Sequence, residues 1–112
     1  MVTPVAIENR LAALSKEVDE AQRFLEESEH AYHKAKSEYE IEMAHSRMKL
    51  STEKMRVQDI QDYALLSCQD QFRALNTAEA TVKAARGNAQ RIRTQVDIAR
   101  SIGTSVRASI EM

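Results

Sequence analysis

The feature that most constrains this chain is the absence of glycine and proline from a long central stretch. Pro4 is the single proline and Gly87 is the first of two glycines, so residues 5–86 contain neither of these helix-breaking residues. Compact α/β and all-β domains need such residues for their many turns. The chain is therefore predicted to be all-α and built from long helices. Because it has three tyrosines, two phenylalanines and no tryptophan, we expect apolar area to be buried along helix seams.

The first helix is predicted over about residues 4–48. Thr3 is suited to cap it, and Pro4 to occupy its first turn, where the N–H that proline lacks has no helical partner. Apolar or small residues then recur at alternating spacings of four and three, as in a heptad coiled coil. This first seam consists of Ile7, Leu11, Leu14, Val18, Ala21, Leu25, Ser28, Tyr32, Ala35 and Tyr39. The seam fades where Glu42 and Ser46 fall on its positions.

A turn is predicted over about residues 48–52, within the stretch RMKLSTEKMR. Ser51 or Thr52 is suited to be the N-cap of a second helix over about residues 53–110. A second heptad seam keeps one frame along this helix. It consists of Val57, Gln61, Ala64, Cys68, Gln71, Leu75, Ala78, Val82, Ala85, Ala89, Ile92, Val96, Ala99, Gly103, Val106 and Ile110.

Two long helices joined by a short turn favour an antiparallel helical hairpin, here a single domain over residues 1–112. Gly87 lies on the outer face and allows a break near residue 87, whereas Gly103 lies in the seam, where close approach of another helix would explain it. Each helix covers only one side of the other, so we expect a homo-oligomer, with a dimeric four-helix bundle the simplest case. An extended monomeric hairpin is the alternative.

Charge is divided unevenly although the net charge is only −1. Residues 17–42 hold nine acidic and three basic side chains, whereas residues 83–107 hold six basic and one acidic. The basic block would serve a nucleic acid or an acidic partner through Arg86, Arg91, Arg93, Arg100 and Arg107. The alternatives are pairing with a second subunit and plain solvation. Two features weigh against nucleic acid: no aromatic residue follows Phe72 to stack on bases, and the pI is near 6.3.

The stretch EESEHAYHK, residues 26–34, is the one place that resembles a catalytic or metal site. Glu27 and His30 match the Glu-x-x-His spacing of di-iron bundles, but those sites project into a dry interior. The heptad frame instead places Ser28 and Tyr32 in the seam and Glu26, Glu27, His30 and His33 outside it. We therefore expect a solvated helix face, with no metal, no cofactor and no catalytic residue.

Cys68 is the only cysteine and falls in the second seam, so it is expected to be a packing residue. Three methionines flank the predicted turn: Met43, Met48 and Met55. They are suited either to adaptable packing or to contact with a protein partner at the tip of the hairpin. No run of 18 apolar residues and no signal-peptide pattern occurs, so we expect a cytoplasmic protein that does not enter a membrane.

The Tyr/Ala-rich first helix (AYHKAKSEYEIEMA), the short polar turn and the Ala/Arg-rich second helix ending TQVDIARSIGTSVRASIEM together resemble small helical bacteriophage proteins. These proteins are often encoded among replication and recombination genes. The resemblance implies a non-enzymatic accessory factor in phage DNA metabolism, or a modulator of a host factor, that acts in the host cytoplasm. The alternative is a structural or assembly role as a scaffold or chaperone-like coiled coil without nucleic-acid contact.

Overall fold

The computed structural model describes residues 3–111 and forms three helices. They are α1 (Pro4–Ser51), α2 (Val57–Ser67) and α3 (Gln69–Glu111). No strand is present between residues 3 and 111. The prediction of an all-α chain with two long helices is therefore confirmed, although the C-terminal part contains a short helix before the second long one.

The predicted start of α1 is confirmed. The backbone N–H of Ala6 donates to Thr3 Oγ1 at 3.1 Å, and the N–H of Ile7 donates to the Thr3 carbonyl at 3.1 Å. Thr3 is thus the N-cap, and Pro4 occupies the first helical position without removing a hydrogen bond.

The predicted role of Ser51 and Thr52 as N-caps of the second helix is wrong. Ser51 Oγ donates to the carbonyl of Met48 at 2.7 Å, and Thr52 Oγ1 donates to the carbonyl of Lys49 at 2.8 Å. Both hydroxyls therefore satisfy carbonyls that the end of α1 leaves without helical partners. Serine and threonine suit either end of a helix through local hydrogen bonds of this kind, so their identity alone does not distinguish a start from an end.

The turn lies at residues 52–56, later than the predicted 48–52. Lys54 has a φ of 57°, in the left-handed region that a glycine would adopt with less strain. Arg56 is the N-cap residue of α2 and makes no side-chain capping hydrogen bond. The turn between α1 and α2 therefore depends on a backbone conformation that the residue types of this stretch do not predict.

The predicted continuous helix over residues 53–110 is divided at Cys68. Cys68 has φ −108° and ψ 21°, outside the helical region, and its N–H is shared between the carbonyls of Ala64 and Leu65, each at 3.1 Å. Just before it, Ser67 Oγ donates to the carbonyl of Tyr63 at 2.9 Å. Thr81, Thr94 and Thr104 make the same type of bond within the uninterrupted α3, so this bond alone does not explain the break. The helix breaks at a cysteine flanked by serine, whereas α3 passes through Gly87 and Gly103 without interruption.

Contacts divide the chain into two compact units. Unit 1 contains residues 3–26 of α1 and residues 84–111 of α3. Unit 2 contains residues 27–83, that is, the rest of α1, all of α2 and the start of α3.

In unit 1 the two predicted seams pack against each other in antiparallel fashion. Ala21, Ala89 and Ile92 form a buried cluster with Val18 and Leu25 packed against it. Alanine at the centre of a seam lets two helix backbones approach closely. Leu14 is fully buried in the same unit, at 0% exposure.

Gly103 marks a second close approach in unit 1. A Cβ built at this position would lie 3.2 Å from Ile7 Cγ2. The prediction that Gly103 sits in the seam because of a nearby helix is confirmed.

In unit 2 the seam is buried at Ser28, Ala64, Cys68 and Val82. The rings of Tyr39 and Phe72 also meet, with centroids 5.8 Å apart.

Parts of the second seam in unit 2 were predicted wrongly. Val57 is 73% exposed and Gln61 is also exposed, because the covered side of α2 runs through Ile60 and Ala64 instead. On α1 the frame shifts after Tyr39, where Met43 is half-buried while Glu42 is exposed. The spacing from Tyr39 to the next covered residue is four where the heptad frame predicts three. This extra residue rotates the covered side of α1 by part of a turn. One hairpin domain over residues 1–112 stays a prediction.

Candidate protein-binding surfaces

The five arginines that the sequence assigns to an acidic partner or nucleic acid all lie on α3 and are all exposed. Four of them are spaced seven residues apart: Arg86, Arg93, Arg100 and Arg107. In a heptad-patterned helix such residues form one stripe, at intervals of about 10.5 Å. Arg91 lies two residues from Arg93, about 200° around the helix, and belongs to a different side. The structure therefore gathers four of the five and separates the fifth.

Within unit 1, a chain of hydrogen bonds crosses from α3 to α1. Arg93 Nη2 donates to Gln22 Oε1 at 3.2 Å, and Gln22 Nε2 donates to Glu26 Oε1 at 3.3 Å. Because glutamine is neutral, the guanidinium and the carboxylate remain separate charges on two edges of one face. We name this surface the Arg93 face and define it by Ser15, Asp19, Gln22, Glu26, Arg93 and Arg100.

An open groove of about 460 Å³ lies on the Arg93 face. Arg93 and Arg100 stand beside it, and its apolar lining comes from Leu11, Val18 and Val96. These three are seam residues that stay only half-buried in unit 1. The Asp97 carboxylate also lines the groove, between the two arginines. The face is thus a partly open seam bordered by two cations and one carboxylate on α3.

The other side of the unit 1 seam is held by different contacts. Arg10 Nη2 donates to Gln95 Oε1 at 3.4 Å there. Arg91 Nη2 donates to Asn88 Oδ1 at 2.8 Å, within its own helix. Side chains that join α1 to α3 are therefore found on both sides of the seam, but the arginine stripe of α3 is on only one.

The three methionines of the predicted tip differ from one another. Met43 and Met55 are half-buried, and Met48 is 71% exposed. The first two fit the packing alternative, because they are partly covered within the chain. Met48 is the one that remains available to a partner.

Sequence reasoning missed a set of exposed apolar side chains in unit 2, which we name the apolar surface of unit 2. Its exposed large hydrophobic side chains are Ile41, Met48, Val57, Tyr63, Leu65, Leu66 and Phe72. Four of these belong to α2, an 11-residue helix whose inward side already buries Ala64. The run YALLSC, residues 63–68, was the available signal. It was treated as part of a one-sided seam, although three neighbouring apolar residues, Ala64, Leu65 and Leu66, cannot all face one seam of a helix.

The stretch EESEHAYHK adopts the arrangement expected of a solvated helix face. Ser28 is buried and Tyr32 half-buried, whereas Glu27, His30 and His33 are exposed. The Tyr32 and His33 rings lie 5.5 Å apart between centroids. Over the part of the chain that the structure describes, no three histidine, cysteine, aspartate or glutamate side chains come together as a metal site would require.

The thiol of Cys68 lies where the seam prediction puts it. It is 2% exposed and sits 3.4 Å from the hydroxyl of Ser46. A buried thiol beside a neutral hydroxyl has none of the cationic surroundings that make cysteines reactive. We assign it to packing at the junction of α2 and α3.

Among the helices of residues 3–111, none combines the length and apolar character needed to span a membrane. Comparisons with protein-family models, curated proteins and solved structures gave no match. The resemblance to small phage proteins and the cytoplasmic location therefore stay predictions.

Proposed function

We propose that this chain is a non-enzymatic helical interaction protein that binds a protein partner through the apolar surface of unit 2. The observation that carries the proposal is α2. Tyr63 and Leu66 are 54% and 63% exposed, on a helix whose opposite side packs inward at Ala64. Exposed apolar side chains concentrated on a short element are characteristic of protein-binding sites.

The chemistry of the surface fits a protein better than a nucleic acid. Leucine, valine and methionine offer no donors for phosphate, and α2 carries Asp59 and Asp62, which would repel it. Aromatic and methionine side chains are enriched where proteins meet. The partner is therefore expected to present an apolar groove or helix face, as in recognition of one amphipathic helix by another.

We also propose that the chain associates with itself, with a dimer as the simplest state. A folded monomer of 12.7 kDa is expected to expose about 6,200 Å² of surface. This chain exposes 8492 Å². The difference of roughly 2,300 Å² exceeds the roughly 800 Å² per partner of a standard interface.

A role in phage DNA metabolism, or against a host factor, remains the biological setting that we propose for this interaction. The purely structural role remains its competitor. The two differ in the arginine stripe, since a nucleic-acid contact needs those cations and a scaffold does not.

The proposal is tested by affinity purification from the native host with three versions of the chain. The wild type is compared with a surface variant, Tyr63→Ser/Leu66→Ser, and with a control on the same helix, Asp59→Ser/Gln61→Ser. We expect at least one protein to be retained by the wild type and the control and lost with the surface variant. Its binding is then repeated with purified components.

Loss of helicity in the surface variant would be detected by circular dichroism and would call for the single Leu66→Ser change. Equal retention of every captured protein by all three versions would overturn the proposed surface. Turnover of a substrate by the purified chain would overturn the non-enzymatic role.

A further inference from the structure

The Arg93 face separates its charges into two edges. Asp19 and Glu26 lie on α1, seven residues apart. Arg93 and Arg100 lie on α3, also seven residues apart, with Asp97 between them, so the α3 edge keeps a net positive charge. The hydrogen bonds from Arg93 through Gln22 to Glu26, at 3.2 and 3.3 Å, show that both edges belong to one side of the seam. Asp19 follows Ser15 by four residues, which puts it on that side as well.

The two edges also have the same repeat. A seven-residue interval corresponds to about 10.5 Å along a helix, so the acidic and basic edges have equal spacing. The helices are antiparallel, with Gly103 packed on Ile7 and Ala21 packed with Ala89 and Ile92. This register puts Asp19 within about 3 Å of the level of Arg93, whose long side chain reaches on to Gln22.

Two copies can be placed with their Arg93 faces in contact and their helices aligned. A twofold axis that relates such copies has one of two directions. An axis across the helices stacks α1 on α1, so that carboxylates face carboxylates and guanidiniums face guanidiniums. An axis along the helices stacks α1 of each copy on α3 of the other. The second arrangement pairs every acidic edge with a basic edge, and like charges facing each other cost several kcal/mol in the first.

We infer that the Arg93 face is a self-association surface, on which a second copy of this chain docks with α1 antiparallel to α3 about a twofold axis along the helices. Rotation about that axis leaves heights unchanged. Asp19 of the second copy is then placed opposite Arg93 of the first, and the reverse contact forms by symmetry. The result is a four-helix arrangement of the unit 1 segments.

A second copy of the chain is identified as the partner of the Arg93 face because the face carries both the basic edge and an acidic edge that matches it. The acidic edge that would match this arginine stripe, at its interval and on an antiparallel helix, is already present on α1. The groove of about 460 Å³ between α1 and α3 has an apolar lining from Leu11, Val18 and Val96 that a second copy covers. A generic polyanion would pair with the arginines but would be repelled by Asp19 and Glu26.

This inference rests on the proposed self-association, and one charge-reversal experiment distinguishes the two. Variant A carries Arg93→Glu and Arg100→Glu, and variant B carries Asp19→Arg and Glu26→Arg. Each variant alone places like charges opposite each other in both halves of the interface. A mixture of A with B restores opposite charges in both halves.

Sedimentation velocity and native mass spectrometry of the full-length chains supply the measurement. We expect the dimer dissociation constant to rise at least about a hundredfold for A and for B alone. The equimolar mixture is expected to form a 1:1 heterodimer with near wild-type affinity. Raising salt from 50 to 500 mM should weaken the wild-type dimer, because screening shortens the range of these charge pairs.

A matched control carries Arg10→Glu and Arg91→Glu, which make the same charge change away from the Arg93 face. We expect it to remain a dimer with wild-type affinity. If variant A loses helicity, Arg93→Gln/Arg100→Gln replaces it, with an expected weakening of about tenfold.

Variants A and B that remain wild-type dimers, or a mixture that stays monomeric, would overturn this surface while leaving self-association intact. A wild-type chain that is monomeric at every concentration would overturn both.

Discussion

At the scale of single residues, the two glycines of α3 differ in their surroundings and therefore in their effect on stability. Gly103 is buried, with Ile7 Cγ2 3.2 Å from where its Cβ would stand. Gly87 is exposed and has nothing within 4 Å of that position. One glycine permits a helix contact, whereas the other only lowers the helix propensity of its segment.

Gly87→Ala is therefore expected to raise the free energy of unfolding by about 1 kcal/mol, the difference in helix propensity between the two residues. Gly103→Ala should gain less or lose stability, because Ile7 must move to admit the methyl group. Urea unfolding followed by circular dichroism measures both. Equal gains at the two positions would contradict the close approach.

Lys54 is a further residue whose backbone conformation affects the free energy of unfolding. Its φ of 57° costs a non-glycine residue about 1 kcal/mol. Lys54→Gly should therefore raise the free energy of unfolding by roughly 0.5–1 kcal/mol, reduced by the greater flexibility of glycine in the unfolded chain.

The matched control is Lys49→Gly, which removes the same charge in the last turn of α1. It should lower the free energy of unfolding by about the same amount, since glycine is disfavoured in a helix. A loss of stability in both variants would show that Lys54 is not strained.

At the scale of elements, the sequence predicted the heptad seam of α1 and missed the break between α2 and α3. Ten seam positions on α1, from Ile7 to Tyr39, are all buried or half-buried, because a heptad repeat sustained over many turns fixes which side of a helix is inward. The break at Cys68 is confined to the φ and ψ of one residue, whose N–H is shared between two carbonyls. A conformational change at one residue produces no periodic pattern in the sequence from which it could be predicted.

The inward and outward sides of the helices should respond differently to the same substitution. Leu14→Ala is expected to lower the free energy of unfolding by about 2–5 kcal/mol, because Leu14 is fully buried. Leu66→Ala should change it by no more than about 0.5 kcal/mol, because Leu66 is 63% exposed. Urea unfolding of both variants at one protein concentration measures this difference, and equal losses would contradict the orientation of α2.

The candidate surfaces were predictable only in part. The arginines were recognised from composition, and the heptad interval of four of them follows from the sequence. Their relation to Gln22 and Glu26 required the antiparallel register between α1 and α3 in unit 1. The outward apolar side of α2 was missed because Val57 and Gln61 were assigned to a continuous seam that begins only at Ala64.

At the scale of the whole molecule, the arginine stripe has two competing uses, protein and nucleic acid. If it pairs with a second copy, single- and double-stranded DNA should be retained weakly or not at all at 50 mM salt, because the carboxylates of the Arg93 face repel phosphate. Retention on immobilised DNA measures this. Strong retention that is abolished by Arg91→Ala/Arg93→Ala would favour the nucleic-acid role instead.

The central claim is that this chain works by having its exposed helix faces covered by protein, first by a second copy of itself. Sedimentation equilibrium of the purified wild-type chain over a wide concentration range tests it most directly. We expect the apparent mass to rise from the 12.7 kDa of one chain towards twice that value as concentration increases. A mass that stays at 12.7 kDa at every concentration would contradict the claim.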